Sequence, residues 1–313
     1  MPHVVTLTLN PAIDKSTVVD RMLPEHKLNC TPPTVEPGGG GINVARGLRR
    51  LGLDARALFV AGGPPGALLG QLLAQEGIAG LPVPVAAWTR ENLTVVDAAS
   101  NQQYRFGMLG ATLSPAEQDQ VLASLAALDP APQVLVASGS LPPGVAPALM
   151  GRIAHWARAV GARLVVDTSG EALQSALSEG VYLLKPNLSE LSKLVGASEL
   201  DSESAGQAAQ ELINQGKCEV VLVSLGPSGA CLVTCEGVDY IAAPAVKKQS
   251  TVGAGDSLVA GTVYGLCQGW PLREAARLGV ACGTAATMNP GTELFHKADA
   301  ERLHRWLLQT MAP

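Results

Sequence analysis

The sequence predicts an α/β protein with an open, mainly parallel sheet, helices on both of its faces, and a small β-sheet lid. Short β-rich runs alternate with helical patterns over most of the 313 residues, which is typical of parallel strands joined by crossover helices. Two segments, about 15–36 and 82–108, instead alternate polar and apolar residues at period two. We therefore expect a single domain, residues 1–313, into which these two segments insert the lid.

Composition narrows the class of protein. Hydrophobic residues make up 47% of the chain and charged residues 16%, which is enough apolar material for one large core. With 22 basic and 27 acidic residues the net charge is −5, so no general attraction to nucleic acid or to an anionic membrane is expected. The first residues do not resemble a secretory leader, no apolar run has membrane length, and the six cysteines form no C-x-x-C pair. We expect a soluble cytoplasmic protein.

The first strand is predicted at 4–9 and stops at Asn10-Pro11. Asp14 follows shortly after this stop. A carboxylate at this point either caps a turn or binds substrate hydroxyls beyond the carboxyl end of the strand, and both interpretations stay open. The next segment carries Lys27 and resembles edge strands or a flap more than core.

A run of four glycines, 38–41, precedes an amphipathic helix that continues to Leu51. Consecutive glycines cost backbone entropy, so we expect them where the main chain must approach another group closely. Gly39 lies in this run, and Asn43 falls in the first helical turn, where its amide can both donate and accept hydrogen bonds. A flexible turn is the alternative.

The middle of the chain keeps the alternation. Arg90 and Arg105 fall in the second lid segment, and arginine suits bidentate contact with phosphate. Ser140 lies in a sharp loop, SGSLPPG, that follows a predicted strand at 133–137. Further strands are predicted at 57–61, 163–167, 181–184, 219–224 and 231–234, and further helices at 67–75, 115–128, 146–160, 171–177, 188–195, 204–215 and 298–311.

The stretch KPNLSE, 185–190, begins at a strand end and enters a helix. Asn187 and Glu190 share a face of the first turn, where they form either a capping box or part of a Mg²⁺ site. Mg²⁺ keeps several waters, so one or two protein oxygens are sufficient. The glycine turn at 225–230 either closes a hairpin or cradles nucleotide phosphates.

The most informative stretch is STVGAGDS, 250–257. Gly253, Ala254 and Gly255 predict a tight turn that opens a buried helix, and amides at such a helix start attract phosphate-like anions. Asp256 would repel a bound phosphate, but it is well placed to take a proton from a hydroxyl that attacks phosphorus. Ordinary helix-start chemistry is the alternative interpretation.

Together these residues resemble the ribokinase-like, or PfkB, carbohydrate kinases, and more narrowly their phosphosugar branch. The resemblance rests on the order and spacing of six motifs between Thr6 and Gly291: NPAID, GGGGINVA, SLPPG, KPNLSE, SLGPSG and STVGAGDS. It implies that ATP and Mg²⁺ are used to phosphorylate fructose 6-phosphate at O1, by a homodimer in which two lids cover each other. A kinase for fructose 1-phosphate or tagatose 6-phosphate is the alternative.

The resemblance also implies a role for each matching residue. Asp256 becomes the catalytic base, and the amides of Gly253, Ala254 and Gly255 become an anion hole. The positions that match the binding of the sugar and its phosphate are Asp14, Gly39, Asn43, Ser140, Lys27 and Arg90. The positions that match nucleotide binding are Lys185, Asn187, Ser224, Gly226, Gly229 and Thr251, while Glu190 is tied to Mg²⁺. A K⁺ site would fall on the backbone around Ser250, Val252, Ala286, Asn289 and Gly291.

One position departs from the family pattern. Phosphosugar members commonly show G-G-K-G-x-N, and Gly40 stands in place of that lysine. The charge of the sugar phosphate is then left to Lys27, Arg90 and Arg105. This departure weakens the assignment to the 1-phosphofructokinase and tagatose-6-phosphate kinase branches.

Overall fold

The computed structural model describes residues 3–310, which fold into a large and a small sheet surrounded by helices. The strands are β1 Val4–Thr8, β2 Ala12–Val19, β3 Thr34–Gly38, β4 Ala55–Ala61, β5 Ala79–Pro84, β6 Arg90–Asp97, β7 Gln102–Phe106, β8 Val134–Ser138, β9 Arg163–Asp167, β10 Val181–Leu184, β11 Cys218–Ser224, β12 Ala230–Thr234 and β13 Gly237–Ile241. The helices are α1 Gly40–Leu51, α2 Gly63–Gln75, α3 Pro115–Ala126, α4 Ala148–Ala159, α5 Gly170–Glu179, α6 Leu188–Val195, α7 Ser202–Asn214, α8 Ala254–Cys267, α9 Leu272–Ala286 and α10 Lys297–Thr310. The last helix was predicted to reach Met311, which lies outside the described residues.

The large sheet has the order β13-β12-β11-β10-β9-β8-β1-β4-β5. All neighbours from β11 to β5 pair in parallel, and β12 and β13 add an antiparallel edge. Successive strand residues face opposite sides, so Val4 joins a core formed with α1, α2 and α8 to α10, while Val5 joins a core formed with α3 to α7. The expected open parallel sheet with helices on both faces is confirmed.

The carboxyl ends of β1, β8, β9, β10 and β11 lie at one edge of the sheet, because these strands are parallel and adjacent. Strand β1 lies between β4 and β8, so the chain winds away from it in both directions. Open α/β sheets bind their ligands at the carboxyl edge near such a switch point. The residues that follow these strands are therefore the first candidates for a site.

The small sheet has the order β3-β2-β6-β7 and is built by the two segments expected to form the lid. Its boundaries differ from the prediction. It starts at Ala12, and residues 82–84 belong to β5 in the large sheet, where Val83 pairs with Val60 and is buried. Period-two alternation does not show which of two sheets a strand joins. Residues 82–84 join the large sheet because Val83 is buried against its helical layer.

One further strand was not expected. Strand β13 pairs with β12 through a tight hairpin between Thr234 and Gly237. Most of its residues are exposed at the sheet edge, so it carries little of the hydrophobic pattern that marks a strand. Among the described residues, no helix combines the length and the apolar character needed to cross a bilayer.

Candidate active site

Helix α8 begins with two backbone amides that have no partner in the described part of the chain. Gly253 precedes the helix with φ 73°, a left-handed conformation that suits glycine. The first amide bonded in the helical manner is that of Ser257, which donates to the Gly253 carbonyl at 2.9 Å. Within residues 3–310, the amides of Gly255 and Asp256 donate to no other group. Two aligned amides at the positive end of a helix dipole form an anion site.

The carboxylate of Asp256 lies beside these amides and is held from two other elements. Its Oδ2 accepts a hydrogen bond from Nδ2 of Asn43 at 2.9 Å, and its Oδ1 lies 3.5 Å from the Ser138 hydroxyl. Burial, and then the negative charge of Asp167, raise the pKa of Asp256 to about 7, although Asn43 acts in the opposite direction. A carboxyl group that titrates near neutral pH is suited to general base catalysis.

A buried ion pair lies beneath the anion site. Nζ of Lys185 and Oδ1 of Asp167 are 3.1 Å apart, at the ends of the adjacent strands β10 and β9. Burial alone would lower the pKa of Lys185, but the charge of Asp167 and the hydrogen bond to it raise the pKa overall, so the ammonium group stays protonated. A side chain built on Gly255 would begin 3.5 Å from this ammonium. Lys185 therefore adds a fixed positive charge at the start of α8.

The glycine run 38–41 lies so close to neighbouring groups of the site that side chains would not fit there. A Cβ on Gly40 would overlap the Ser138 hydroxyl and lie 2.8 Å from the backbone nitrogen of Gly139. Gly39 has φ 115°, which L side chains rarely adopt. A lysine at position 40 would therefore need the space that Ser138 fills in this chain.

We expect Gly40→Ala to lower kcat/KM at least tenfold and to destabilise the protein by about 1–3 kcal/mol, because the backbone at 138–139 would have to move. The Ser138 hydroxyl next to Asp256 would move with it. The matched control is Gly70→Ala, since a Cβ there meets no atom within 4 Å. Equal Tm and equal kcat/KM for the two variants would contradict this account of position 40.

The residues expected to bind the sugar surround the same glycines. Oδ1 of Asp14 accepts from Nδ2 of Asn92 at 2.8 Å, and burial raises the pKa of Asp14. Ser140 receives a hydrogen bond from the side chain of Asn10 at 3.1 Å. Asn43 is already in contact with Asp256. The structure thus brings β2, α1 and the loop after β8 to one place.

The two basic residues expected to bind the sugar phosphate have different surroundings. The Arg90 guanidinium lies close enough to Asp14 to interact with its charge, and it donates to the carbonyls of Asn10 at 2.9 Å, Pro11 at 3.4 Å and Met108 at 3.0 Å. Two of its five N–H groups remain available. Lys27 is exposed in the loop beyond Val19, at the opposite end of β2 from Asp14, so the chain itself does not bring it to the site.

Two of the residues expected to bind nucleotide meet: Asn187, in the segment that follows Lys185, and Ser224, at the end of β11. Asn187 and Ser224 form a parallel bridge, and the Ser224 amide donates to the Pro186 carbonyl at 2.8 Å. Gly226 begins a short 3-10 turn and Gly229 follows its last residue, and both have positive φ. A Cβ on Gly229 would overlap the Ile241 carbonyl, so close packing against β13 requires glycine there. The carbonyl of Thr251, which is exposed, accepts from the Ala254 amide at 3.4 Å.

Glu190 takes part in a capping box. Its Oε2 accepts from the Asn187 amide at 2.9 Å, and Oδ1 of Asn187 accepts from the Glu190 amide at 2.9 Å. Oε1 of Glu190 bonds to no described residue and remains available to a metal-bound water. No group of three or more His, Cys, Asp or Glu side chains suited to a metal occurs within residues 3–310. Glu190 therefore fits a Mg²⁺ ion whose other ligands are mostly phosphate oxygens and water.

The backbone expected to hold K⁺ is gathered into one loop cluster. The Ser250 hydroxyl donates to the Gly291 carbonyl at 2.7 Å, and the Asn289 amide donates to the Ala286 carbonyl at 3.2 Å. The carbonyls of Ser250, Val252 and Asn289 accept no hydrogen bond from the described part of the chain. Carbonyl oxygens that accept no hydrogen bond are available as ligands to a cation that binds oxygen.

Asp167 and Ser138 are among the residues of this site that carried no expectation from sequence. Asp167 ends the apolar strand RLVVD, and Ser138 ends β8. An acid at the end of an apolar strand was the signal that marked Asp14, and the same signal was available for Asp167. Nothing in the sequence marked the contact of Ser138 with Asp256.

A mainly parallel sheet with an inserted small sheet, and a buried carboxylate beside unpaired helix amides, define the chain as an α/β kinase of the ribokinase-like class. The family described as pfkB family carbohydrate kinase matches residues 7–298, and the chain belongs to this family. It is 45% identical to the ATP-dependent 6-phosphofructokinase isozyme 2 of Escherichia coli (strain K12), over 98% of this chain and 99% of the relative.

Two crystal structures of phosphofructokinase-2 from Escherichia coli are similar to the whole fold. The complex with potassium has a TM-score of 0.94 at 45% identity, and the complex with fructose-6-phosphate has a TM-score of 0.92 at 43% identity. Each match covers 98% of this chain and 99% of the other. The fold and family expected from the sequence are confirmed.

Proposed function

We propose that the chain transfers the γ-phosphoryl group of ATP to O1 of fructose 6-phosphate, which yields fructose 1,6-bisphosphate and ADP. The observation that carries this proposal is the buried Asp256 carboxylate, which titrates near neutral pH beside the unpaired amides of Gly255 and Asp256. Binding alone would not require a base next to an anion site. The sugar is chosen because relatives at 44–45% identity are 6-phosphofructokinases, and a phosphofructokinase-2 structure is solved with fructose-6-phosphate.

In the proposed reaction Asp256 takes the proton of the O1 hydroxyl while O1 attacks the γ-phosphorus of ATP. The O1–phosphorus bond forms as the bond to the ADP oxygen breaks, and the proton leaves Asp256 for solvent afterwards. The amides at the start of α8 and the charge of Lys185 stabilise the negative charge on the transferred group. Mg²⁺, when bound, neutralises charge on the nucleotide phosphates.

The remaining groups bind and orient the substrates in this proposal. Asp14, Gly39, Asn43 and Ser140 hold the sugar hydroxyls, and the two free N–H groups of Arg90 face its phosphate. Lys185, Asn187, Ser224, Gly226, Gly229 and Thr251 hold the nucleotide, and Glu190 orients water on Mg²⁺. K⁺ on the carbonyls around Ser250, Val252, Ala286, Asn289 and Gly291 would fix the loop that leads into α8.

We also propose that the small sheet is the lid of the site and the surface of a homodimer. Strand β7 is exposed along its whole length, and Val18, Tyr104 and Phe106 leave apolar surface uncovered. A dimer through this sheet would cover these side chains and bring Lys27 near a pocket. Sedimentation equilibrium tests the assembly, and a monomer at micromolar concentration would argue against it.

The proposed activity is tested by measuring ADP release from MgATP with fructose 6-phosphate, fructose 1-phosphate and tagatose 6-phosphate in parallel. We expect the highest kcat/KM with fructose 6-phosphate, and a product phosphorylated at both O1 and O6 by ³¹P NMR. A preference for another phosphosugar would correct the substrate and keep the chemistry. ATP binding without ADP release for any of the three would refute the kinase function.

The pH dependence of kcat/KM follows from the raised pKa of Asp256. Because the base must be ionised to accept a proton, we expect kcat/KM for the phosphosugar to rise with pH through about 7 and to level off above it. The measurement is kcat/KM for the phosphosugar against pH, with ATP affinity from calorimetry as the control for nucleotide binding. A rate that is flat between about pH 5.5 and 8 would contradict this role of the carboxylate.

A further inference from the structure

Asn92 holds the Asp14 carboxylate from the neighbouring strand. The parallel pairing of β2 with β6 aligns Asp14 with Asn92, so the two side chains stand side by side on one face of the small sheet. Nδ2 of Asn92 donates to Oδ1 of Asp14 at 2.8 Å. The other oxygen, Oδ2, lies against Gly38, where a Cβ would overlap it. Asn92 therefore holds Oδ1 of the carboxylate, and the missing side chain of Gly38 leaves room for Oδ2.

The other end of the Asn92 amide binds the connection that leads from the small sheet back to the large one. We call residues 107–114, between β7 and α3, the lid connection. Oδ1 of Asn92 accepts from the Met108 amide at 3.0 Å, and the Met108 carbonyl accepts from Arg90 at 3.0 Å. Only one orientation of the Asn92 amide satisfies both partners, because the NH₂ group must face the carboxylate and the oxygen must face the amide.

We propose that Asn92 is a positioning residue for sugar binding: it fixes the Asp14 carboxylate and makes its position depend on the lid connection. This inference rests on the proposed function, in which Asp14 binds a sugar hydroxyl. Asn92 is the only side chain within residues 3–310 that donates a hydrogen bond to Asp14, which is partly buried, so without Asn92 the carboxylate could rotate away from the hydroxyl. The Asp14 carboxylate is then positioned to bind the sugar only when the lid connection, residues 107–114, holds Asn92.

The test compares Asn92→Ala with the wild type in steady-state assays. We expect KM for the phosphosugar to rise roughly ten- to hundredfold, as for a lost hydrogen bond to a charged group, while KM for ATP stays within about twofold. A purely structural defect would raise both KM values or lower Tm by many degrees. An unchanged phosphosugar KM would overturn the proposal.

Asn92→Asp is a second variant that keeps the shape and the acceptor for Met108. It puts two carboxylates side by side, and such a pair retains a proton that a lone carboxyl group would lose. We expect its phosphosugar KM to fall as pH is lowered from about 8 to 6, a response absent from the wild type. If Asn92→Ala does not fold, the pH response of the phosphosugar KM in Asn92→Asp tests the proposal. A phosphosugar KM that equals the wild-type value at each pH would overturn the proposal.

Asn101→Asp is the matched control, because it makes the same charge change at an exposed residue in the turn that joins β6 to β7. Asn101 has φ 55°, which aspartate also tolerates. If it shifts the phosphosugar KM as much as Asn92→Asp does, added charge and not contact with Asp14 is responsible, and the proposal fails. A wild type that phosphorylates no sugar would refute the proposed function instead, before any variant is made.

Discussion

Replacing Asp256 with asparagine is expected to lower kcat by about 10²–10⁴-fold while both substrates still bind. The amide cannot take the proton of the attacking hydroxyl. Its oxygen can still accept the hydrogen bond from Asn43 that Oδ2 accepts at 2.9 Å, so the start of α8 should keep its geometry. The loss should therefore appear in kcat and not in KM.

The measurement combines kcat with calorimetric affinities for ATP and for the phosphosugar. Asp119→Asn is the matched control, because Asp119 is exposed and its pairing with Arg152 lies on the helical surface, away from the site. We expect that control to keep wild-type rates. A kcat for Asp256→Asn within about fivefold of the wild type would remove Asp256 from the mechanism.

The stability of Asp256→Asn relative to the wild type should increase as pH rises. The folded-state pKa of Asp256 is about 7 against an ordinary value of 3.8, so the folded protein binds this proton more tightly than the unfolded chain does. The associated stability is present below about pH 4 and is lost as pH rises towards 7. Tm of the variant relative to the wild type should therefore increase between pH 5 and 8. An opposite trend would contradict the raised pKa.

Replacing Lys185 with methionine is expected to destabilise the fold by about 3–5 kcal/mol and to abolish most turnover. The substitution leaves the Asp167 carboxylate, whose side chain is only 15% exposed, without its partner. It also removes the positive charge next to Gly255, where the transferred group gathers negative charge. Denaturant unfolding and the ADP-release assay measure the two effects separately.

A double variant distinguishes stability from catalysis. Lys185→Met with Asp167→Asn removes both charges, so it should recover much of the stability that the single change loses, but not the rate. Lys297→Met serves as the control, because Lys297 pairs with Glu301 on an exposed helix face and should contribute at most about 1 kcal/mol. Recovery of the rate in the double variant would show that Lys185 has no direct part in turnover.

Much of the fold follows from local patterns. The buried runs that become β1, β8, β9, β10 and β11 are recognisable because each is apolar over a few residues and ends at a turn or capping residue. The start of α8 is equally local: the left-handed glycine, the unpaired amides and Asp256 lie within four residues of one another. The sequence by itself therefore determined the sheet class, the glycine turn that opens α8 and the acid in its first turn.

Only the tertiary structure decided which groups meet that acid. Ser138 and Asp256 are 118 positions apart, and Asp14 and Asn92 are 78 apart, so each contact depends on strand order and register and not on spacing. The tertiary structure also places residues 82–84 in the large sheet and Lys27 beyond the far end of β2. The physical reason is that turn and helix-start chemistry acts over a few residues, whereas the burial that raises the pKa of Asp256 is created by segments distant in the chain.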